Sequence, residues 1–231
     1  MFKLFLFFSL VLALYAENLA LEAFKKQDFT TAFNLYSVDA QMGDAKSQHA
    51  LSYLYFNGLG VEQDVKQGIY WITKSADASS TVAQYDLGMM YLSGYNVDKD
   101  SKKAFSWLEK ASEGGHTNAK YNLALMYYNG DATDQNVTKS AELLESAAVE
   151  GHAEAIQNIG RVYMQLLNYE KASLWLEKNA ADGDKTAYYL LAEIYCLQEK
   201  FPQAKLWAKK AMEGGDEKSK ELWKTYDLGK Y

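Results

Sequence analysis

AQYDLGMMY (Ala83–Tyr91) decides the fold, because it returns as AKYNLALMY (Ala119–Tyr127) and AIQNIGRVY (Ala155–Tyr163), each 36 residues after the one before. A related stretch, SQHALSYLY (Ser47–Tyr55), lies 36 residues earlier, and AYYLLAEIY (Ala187–Tyr195) lies 32 residues later. A fixed period of this size predicts a stacked array in which each unit buries its apolar face only against its neighbours. We therefore expect the function of the chain to reside on a surface of the array and not in a pocket.

Each unit is predicted to contain two helices. In the unit that begins at Ala83, Leu87 and Tyr91 recur at helical spacing in the first helix, and Ala104 and Trp107 do so in the second. A glycine that accepts a left-handed conformation is expected to end each first helix, at Gly58, Gly94 and Gly130. A side-chain oxygen is expected to cap each second helix, at Asp64, Asp100 and Asn136.

The repeats divide residues 17–231 into four predicted segments. Residues 17–46 form a short unit, residues 47–154 contain three 36-residue repeats, and residues 155–218 contain two 32-residue repeats. Residues 219–231 match only the start of another helix and are expected to form a solvated cap over the last unit. Pro202 fits the first turn of its helix, where no N–H is needed.

The N-terminus predicts export. Lys3 precedes an apolar run from Leu4 to Ala16 that only Ser9 interrupts, and the run is too short to span a bilayer as a helix. This arrangement is typical of a secretory signal peptide over residues 1–16, with cleavage after Ala16 or, as a second choice, after Ala20. The alternative is that the run is the first helix of the array. An exported bacterial protein, periplasmic or secreted, is the preferred interpretation.

Composition narrows the class of partner. The chain has 231 residues, a net charge of −6 and 48% hydrophobic residues, which indicates a folded protein and gives no sign of nucleic-acid binding. Cys196 is the only cysteine, so no internal disulfide stabilises the chain. After removal of the leader no integral membrane span is expected.

The spacing resembles a known family. The pattern AxxxLGxxYxxGxxVxxDxxKAxxWxxKAxEGG, filled by Ala83–Gly115, and the loop GLGVEQD (Gly58–Asp64) resemble the Sel-1-like repeat, a relative of the tetratricopeptide repeat. The resemblance covers Ser47 to Glu154 closely and Leu21 to Gly215 loosely. It implies an all-α fold, a right-handed α-α superhelix (solenoid) of helix-turn-helix repeats that binds proteins or peptides.

The resemblance also implies a binding surface, because first helices line the concave face in tetratricopeptide-like stacks. The period then predicts twelve peptide-binding residues: His49, Tyr53, Phe56, Tyr85, Met89, Asn118, Tyr121, Asn122, Tyr128, Asn158, Arg161 and Tyr189. Tyrosines supply apolar area with a hydroxyl group, and asparagine amides can bond an extended peptide backbone. The competing interpretations are that the aromatic rings pack between repeats and that Arg161 pairs with Glu154 or Glu193.

No catalytic or metal motif is recognisable. His116 and His152 hold the same repeat position after a glycine, which favours a structural turn over a metal site, and no cofactor is expected. Ser-x-x-Lys and Lys-Thr-Gly are absent, although some exported Sel-1-like proteins carry a β-lactamase label. The preferred interpretation is a non-catalytic scaffold with an unknown protein or peptide partner. The alternatives are an envelope hydrolase acting on a β-lactam or cell-wall peptide, and a secreted host-interaction factor.

Overall fold

The described part of the chain is entirely α-helical in its regular structure. A computed structural model describes residues 19–231, in which thirteen α-helices and one 3-10 helix occur and no strand is found. The predicted leader at residues 1–16, together with the alternative that it begins the array, lies outside the described residues.

The helices are short and nearly equal in length. Helix α1 is described over residues 19–25, and each helix from α2 to α12 has 13 residues. The others are α2 (Phe29–Gln41), α3 (Ala45–Asn57), α4 (Val65–Asp77), α5 (Thr81–Ser93), α6 (Ser101–Glu113), α7 (Thr117–Asn129), α8 (Val137–Val149), α9 (Ala153–Gln165), α10 (Tyr169–Ala181), α11 (Lys185–Leu197), α12 (Phe201–Glu213) and α13 (Glu217–Thr225), followed by the 3-10 helix η1 (Leu228–Lys230).

Loop length explains the two repeat periods. The first and second helices of the 36-residue repeats are joined by residues 58–64, 94–100 and 130–136. In the 32-residue repeats the equivalent loops are residues 166–168 and 198–200, which are four residues shorter. The helices keep their length, so the difference in period lies wholly in the loop.

The chain forms two compact units, one ending at Ala119 and the other beginning at Lys120. In the first unit, each helix from α2 to α5 packs against the next one along the chain. In the second unit, the same is true from α8 to α13. The predicted fold class, an all-α array of helix-turn-helix repeats, is confirmed.

Small residues allow the helices to approach closely. Ala83, Ala104 and Ala111 are fully buried, as the sequence predicted for the positions where backbones meet. A Cβ atom added at Gly88 would lie 2.9 Å from Leu108 Cγ, and one added at Gly160 would lie 2.7 Å from Leu176 Cγ. Since real Cβ contacts are longer than this, a Cβ atom at either position would force the leucine of the following helix to shift.

The predicted helix ends are confirmed. The side chain of Asp64 accepts a hydrogen bond from the Gln67 N–H, Asp100 caps α6 in the same way, and Asn136 caps α8. Gly94 closes α5 with a φ of 78°, a left-handed conformation that costs glycine little. Pro202 occupies the first turn of α12.

The C-terminal segment is more than a solvated cap. Helix α13 is followed by η1, which packs against α12 and α13 and buries Leu228 completely. The Phe201 ring stacks on Tyr231 with a centroid separation of 4.7 Å, and Lys205 Nζ donates to the Gly229 carbonyl at 3.3 Å. Leu228 therefore fills a hydrophobic site at the end of the second unit, which the helix periodicity did not predict.

A hydrogen-bonded ion pair connects three successive helices of the second unit. The Glu145 carboxylate on α8 accepts from the Tyr163 hydroxyl on α9 and from Lys171 Nζ on α10, both at 2.7 Å. Burial favours the neutral carboxyl, but these hydrogen bonds outweigh it and lower the pKa of Glu145. The same contact recurs one repeat later, where the Tyr195 hydroxyl donates to Glu177.

The single thiol is enclosed by the core. Cys196 on α11 is 2% exposed, and burial, aided by the charge of Glu193, raises its pKa to about 11. The thiolate is the reactive form of cysteine, so this residue is a poor nucleophile at neutral pH while the chain is folded.

Histidines cap two of the first helices. Nδ1 of His116 accepts a hydrogen bond from the Ala119 N–H at 3.3 Å, and Nδ1 of His152 accepts one from the Ala155 N–H at the same distance. The His116 ring must be unprotonated at Nδ1 to accept, because a nitrogen that carries a proton only donates. Burial lowers the pKa of His116, and the nearby Asp86 carboxylate opposes this shift only in part. The structural turn role predicted for the two histidines is confirmed.

Replacing His116 by serine should reduce the loss of stability on acidification. Because the folded pKa of His116 lies below its ordinary value of 6.5, its stabilising contribution is complete above that pH and is lost as the pH falls through the folded pKa. Serine caps the equivalent helix α5 at Ser80 and does not titrate in this range. Thermal melts at about pH 7.5 and about pH 5 should show a smaller fall in Tm for His116→Ser than for the wild type. An equal fall would contradict the role of this cap.

Two leucines of α10 provide a matched test of the core. Leu176 is 1% exposed and packs on Gly160, whereas Leu174 on the same helix is 64% exposed. Leu176→Ala should lower the free energy of unfolding by about 2–5 kcal/mol, because it removes buried methyl groups and leaves a cavity. Leu174→Ala should change it by less than about 0.5 kcal/mol. Denaturant unfolding followed by circular dichroism measures both, and similar losses would count against the assigned core.

Candidate functional site

The twelve predicted site residues all lie on first helices and none of them is buried. We call their surface the first-helix face and describe it separately in each compact unit. In the first unit it comprises His49, Tyr53, Phe56, Tyr85, Met89 and Asn118. In the second unit it comprises Tyr121, Asn122, Tyr128, Asn158, Arg161 and Tyr189. Tyr53, Asn118 and Arg161 are exposed, and the other nine are partly exposed.

In the first unit, polar and aromatic contacts connect neighbouring first helices. Nε2 of His49 on α3 lies 2.7 Å from the Asp86 carboxylate on α5. The Tyr85 ring stacks on His116, with centroids 4.4 Å apart, so the helix-capping imidazole also orients the tyrosine. Phe56 differs from the rest, because its ring lies directly against Gly68 of the second helix α4 and packs with the core.

In the second unit the same arrangement recurs. The Tyr121 ring stacks on His152 with centroids 4.3 Å apart, and the Asn158 Nδ2 donates to the Tyr121 hydroxyl at 3.4 Å. The Tyr128 hydroxyl donates to Gln165 Oε1 at 2.9 Å. The face is therefore a set of side chains whose orientation is restricted by their neighbours.

The residues paired in these contacts are separated by one residue more than the repeat period. The paired residues His49–Asp86, Tyr121–Asn158 and Tyr128–Gln165 are each 37 residues apart. Since the repeat period is 36, each contact joins a residue to the residue that comes directly after its equivalent in the following repeat. Alignment of equivalent residues cannot reveal these pairs, because the partners are not equivalent. Both the packing and the peptide-contact interpretations of the tyrosines and asparagines stay open, because a partly exposed side chain can do both.

Tyr189 forms the C-terminal end of the face. Its hydroxyl donates to Glu193 at 3.3 Å, and burial together with the Glu193 charge raises its pKa. Lys218 Nζ lies 5.9 Å from the centre of its ring, beside a cleft of about 370 Å³. The phenol is therefore neutral at physiological pH; its O–H is directed to Glu193, and its oxygen can still accept a hydrogen bond.

A larger cleft of about 580 Å³ opens beside Arg161 in the second unit. Its polar lining comes from α9, from the end of α10 and from the start of α11, and includes Gln157, Asn158, Arg161, Asn179, Asp182 and Asp184. Two residues that the sequence predicted to lie one turn apart, Asn158 and Arg161, thus share one concave site. A site of this volume is large enough for a few residues of peptide.

Arg161 does not form the ion pairs that were considered as alternatives. The Glu154 carboxylate lies 3.3 Å from Nδ1 of His152, and Glu193 accepts from Tyr189. Among residues 19–231, no carboxylate lies within ion-pair distance of the Arg161 guanidinium. The one arginine of the chain therefore presents its charge to the cleft and to solvent.

Asn179 is a site residue that the sequence analysis missed. It is 3% exposed, lines the cleft, and donates through Nδ2 to the Gln157 carbonyl at 3.3 Å. Three other second helices carry alanine at the equivalent position, Ala111, Ala147 and Ala211, and α4 carries Ser75. A large amide at a position that is alanine or serine in α4, α6, α8 and α12 was the available signal, since a buried amide needs hydrogen-bond partners.

Two further observations concern metal sites and membrane spans in the described part of the chain. Across residues 19–231, no group of three or more His, Cys, Asp or Glu side chains is placed to hold a metal ion. None of the helices in that range has the length and hydrophobicity that crossing a bilayer requires.

Comparison with known proteins agrees with this architecture. The Sel1 repeat family matches residues 45–80, 81–116 and 117–152, whereas no curated protein matches the chain. A Sel1 repeat protein from Oxalobacter formigenes is 34% identical, with a TM-score of 0.53, over 54% of this chain and 93% of that one. The Escherichia coli protein c5321, described as a protective antigen of uropathogenic strains with an SLR fold, is 27% identical, with a TM-score of 0.59, over 85% of this chain and 44% of that one. The chain belongs to the Sel1 repeat family.

Proposed function

We propose that the chain is an exported, non-catalytic scaffold that binds another protein or a peptide through the first-helix face. Sel1 and tetratricopeptide-like repeats commonly serve as protein-interaction scaffolds. The observation that carries the proposal is that all twelve predicted residues lie on first helices and keep part of their surface accessible.

The contacts within the face support a binding role. Stacking of Tyr85 on His116 and of Tyr121 on His152 restricts both phenol rings before any partner arrives. Restricting side chains in advance reduces the entropy that association costs. Aromatic side chains are also enriched at protein interfaces, because they combine large apolar area with a polar group.

Removing two tyrosines tests the face. Tyr85→Ala/Tyr121→Ala should weaken partner binding by about tenfold or more, since buried interface tyrosines often contribute strongly to affinity. Crosslinking in the native cell followed by mass spectrometry identifies the partners, and a quantitative pull-down compares the variants. Tyr70→Ala/Tyr95→Ala is the matched control, because these tyrosines are 50% and 66% exposed and lie outside the face. If both double variants, folded by circular dichroism, retain the partners equally, the face is not the binding surface.

Export is the second part of the proposal. The apolar run that ends at Ala16 supports it, and the structure favours the first of the two cleavage sites. Cleavage after Ala20 would remove a residue that is fully buried in a hydrophobic cluster with Tyr36 and Leu54. Cleavage after Ala16 leaves that cluster intact.

Fractionation of the native cell tests export directly. The protein should be recovered from the periplasm or the medium, and its N-terminal sequence should begin at Glu17. A variant with Leu6→Arg and Leu10→Arg, which breaks the apolar run, should remain in the cytoplasm with its leader attached. Recovery of the uncleaved wild-type chain from the cytoplasm would contradict the proposal.

A further inference from the structure

The Arg161 cleft carries two opposite charges that do not neutralise each other. Arg161 on α9 and Asp182 after α10 both line it. Within the described residues neither group forms an ion pair, and they lie too far apart to pair with one another. Asp184, by contrast, is engaged, because its carboxylate accepts from the Thr186 N–H at 2.9 Å and caps α11. The cleft thus offers a ligand one basic group, Arg161, and one acidic group without a hydrogen-bond partner among the described residues, Asp182.

Arg161 is suited to a carboxylate. A guanidinium is planar and always charged, and it can donate two parallel hydrogen bonds to the two oxygens of a carboxylate. The equivalent positions of the three long repeats are Tyr53, Met89 and Leu125, and that of the other short repeat is Glu193, so the packing of the repeat does not require an arginine here. Arg161 thus differs in residue type from its equivalents in the other repeats, at the place where the chain forms this cleft.

The lining of the cleft also contains amide groups. Asn158 and Asn179 both line the cleft, and each uses Nδ2 in the contacts described above, to the Tyr121 hydroxyl and to the Gln157 carbonyl. Their carbonyl oxygens are acceptors that suit the N–H groups of an extended peptide, which has no internal backbone hydrogen bonds. A lining that combines amides with a cation and an anion matches a short peptide better than it matches an apolar ligand.

We propose that the Arg161 cleft binds an extended peptide segment that carries both a carboxylate and a cationic group, with the carboxylate on Arg161 and the cation on Asp182. This inference rests on the proposed peptide-binding function and specifies the chemistry of its ligand. The carboxylate can come from an acidic side chain or from the C-terminus of the peptide, since both present the same two oxygens.

Selection from random octapeptides tests the assignment. Purified protein is immobilised and exposed to one library with free C-termini and to another with amidated C-termini, and captured peptides are sequenced by mass spectrometry. The wild type should enrich peptides that combine Asp or Glu, or a free C-terminus, with Lys or Arg. Retention of acidic enrichment in the amidated library marks a side-chain carboxylate, and loss of capture in that library alone marks a terminal one.

Two variants that remove charges of opposite sign from the cleft test which ligand group each residue binds. Arg161→Gln should abolish the selection for carboxylate and weaken binding of the most enriched peptide by about tenfold. Asp182→Asn should abolish the selection for Lys and Arg while the selection for carboxylate persists. Lys209→Gln, at an exposed position on α12, removes the same charge as Arg161→Gln and should change neither selection.

The outcomes separate this inference from the function on which it depends. Capture of peptides without charge selection, or selection that both Arg161→Gln and Asp182→Asn leave unchanged in folded protein, would overturn the assignment of the cleft alone. Absence of capture from both libraries would overturn the peptide-binding function and this assignment with it.

Discussion

Close approach of helix backbones at small residues is the constraint on which the structure depends. Alanines such as Ala83 and Ala104 are fully buried, and at Gly88 and Gly160 even a methyl group would overlap the leucine of the next helix. Large side chains then fill the space that remains, because protein interiors pack to a nearly constant density. Within each compact unit the helices are thereby held by their neighbours along the chain, which is why thirteen-residue helices that would be marginal alone are stable here.

Because the helices of each compact unit pack against their neighbours along the chain, the repeat positions that form the core are different from those that form the proposed binding surface. The small residues and leucines occupy one set of repeat positions, whereas the first-helix face occupies another. At the face positions residue type varies freely, as at Tyr53, Met89 and Arg161. Function in such an array resides in the positions that the packing leaves unconstrained.

The face is nevertheless connected to the stability of the array. Two histidines cap first helices and at the same time stack on Tyr85 and Tyr121. The pairs that join successive first helices, such as His49 with Asp86, lie on the same face. A ligand on this surface would therefore contact side chains that already contribute to the contacts between repeats, so that binding and the order of the first helices are coupled.

The sequence alone determined the helix pairs, their caps, the change of loop length and the family, because these features depend on contacts between residues close in the chain and on a period that repeats them. It also identified Asn158 and Arg161, since both lie on one predicted helix face. Only the tertiary structure decided that Asn179 and Asp182 join them in a cleft, that contacts between repeats are offset by one position, and that Leu228 is buried. These features depend on the distance and rotation between helices. Both are set by how side chains of different helices fit together, so they cannot be predicted from a local pattern of residues.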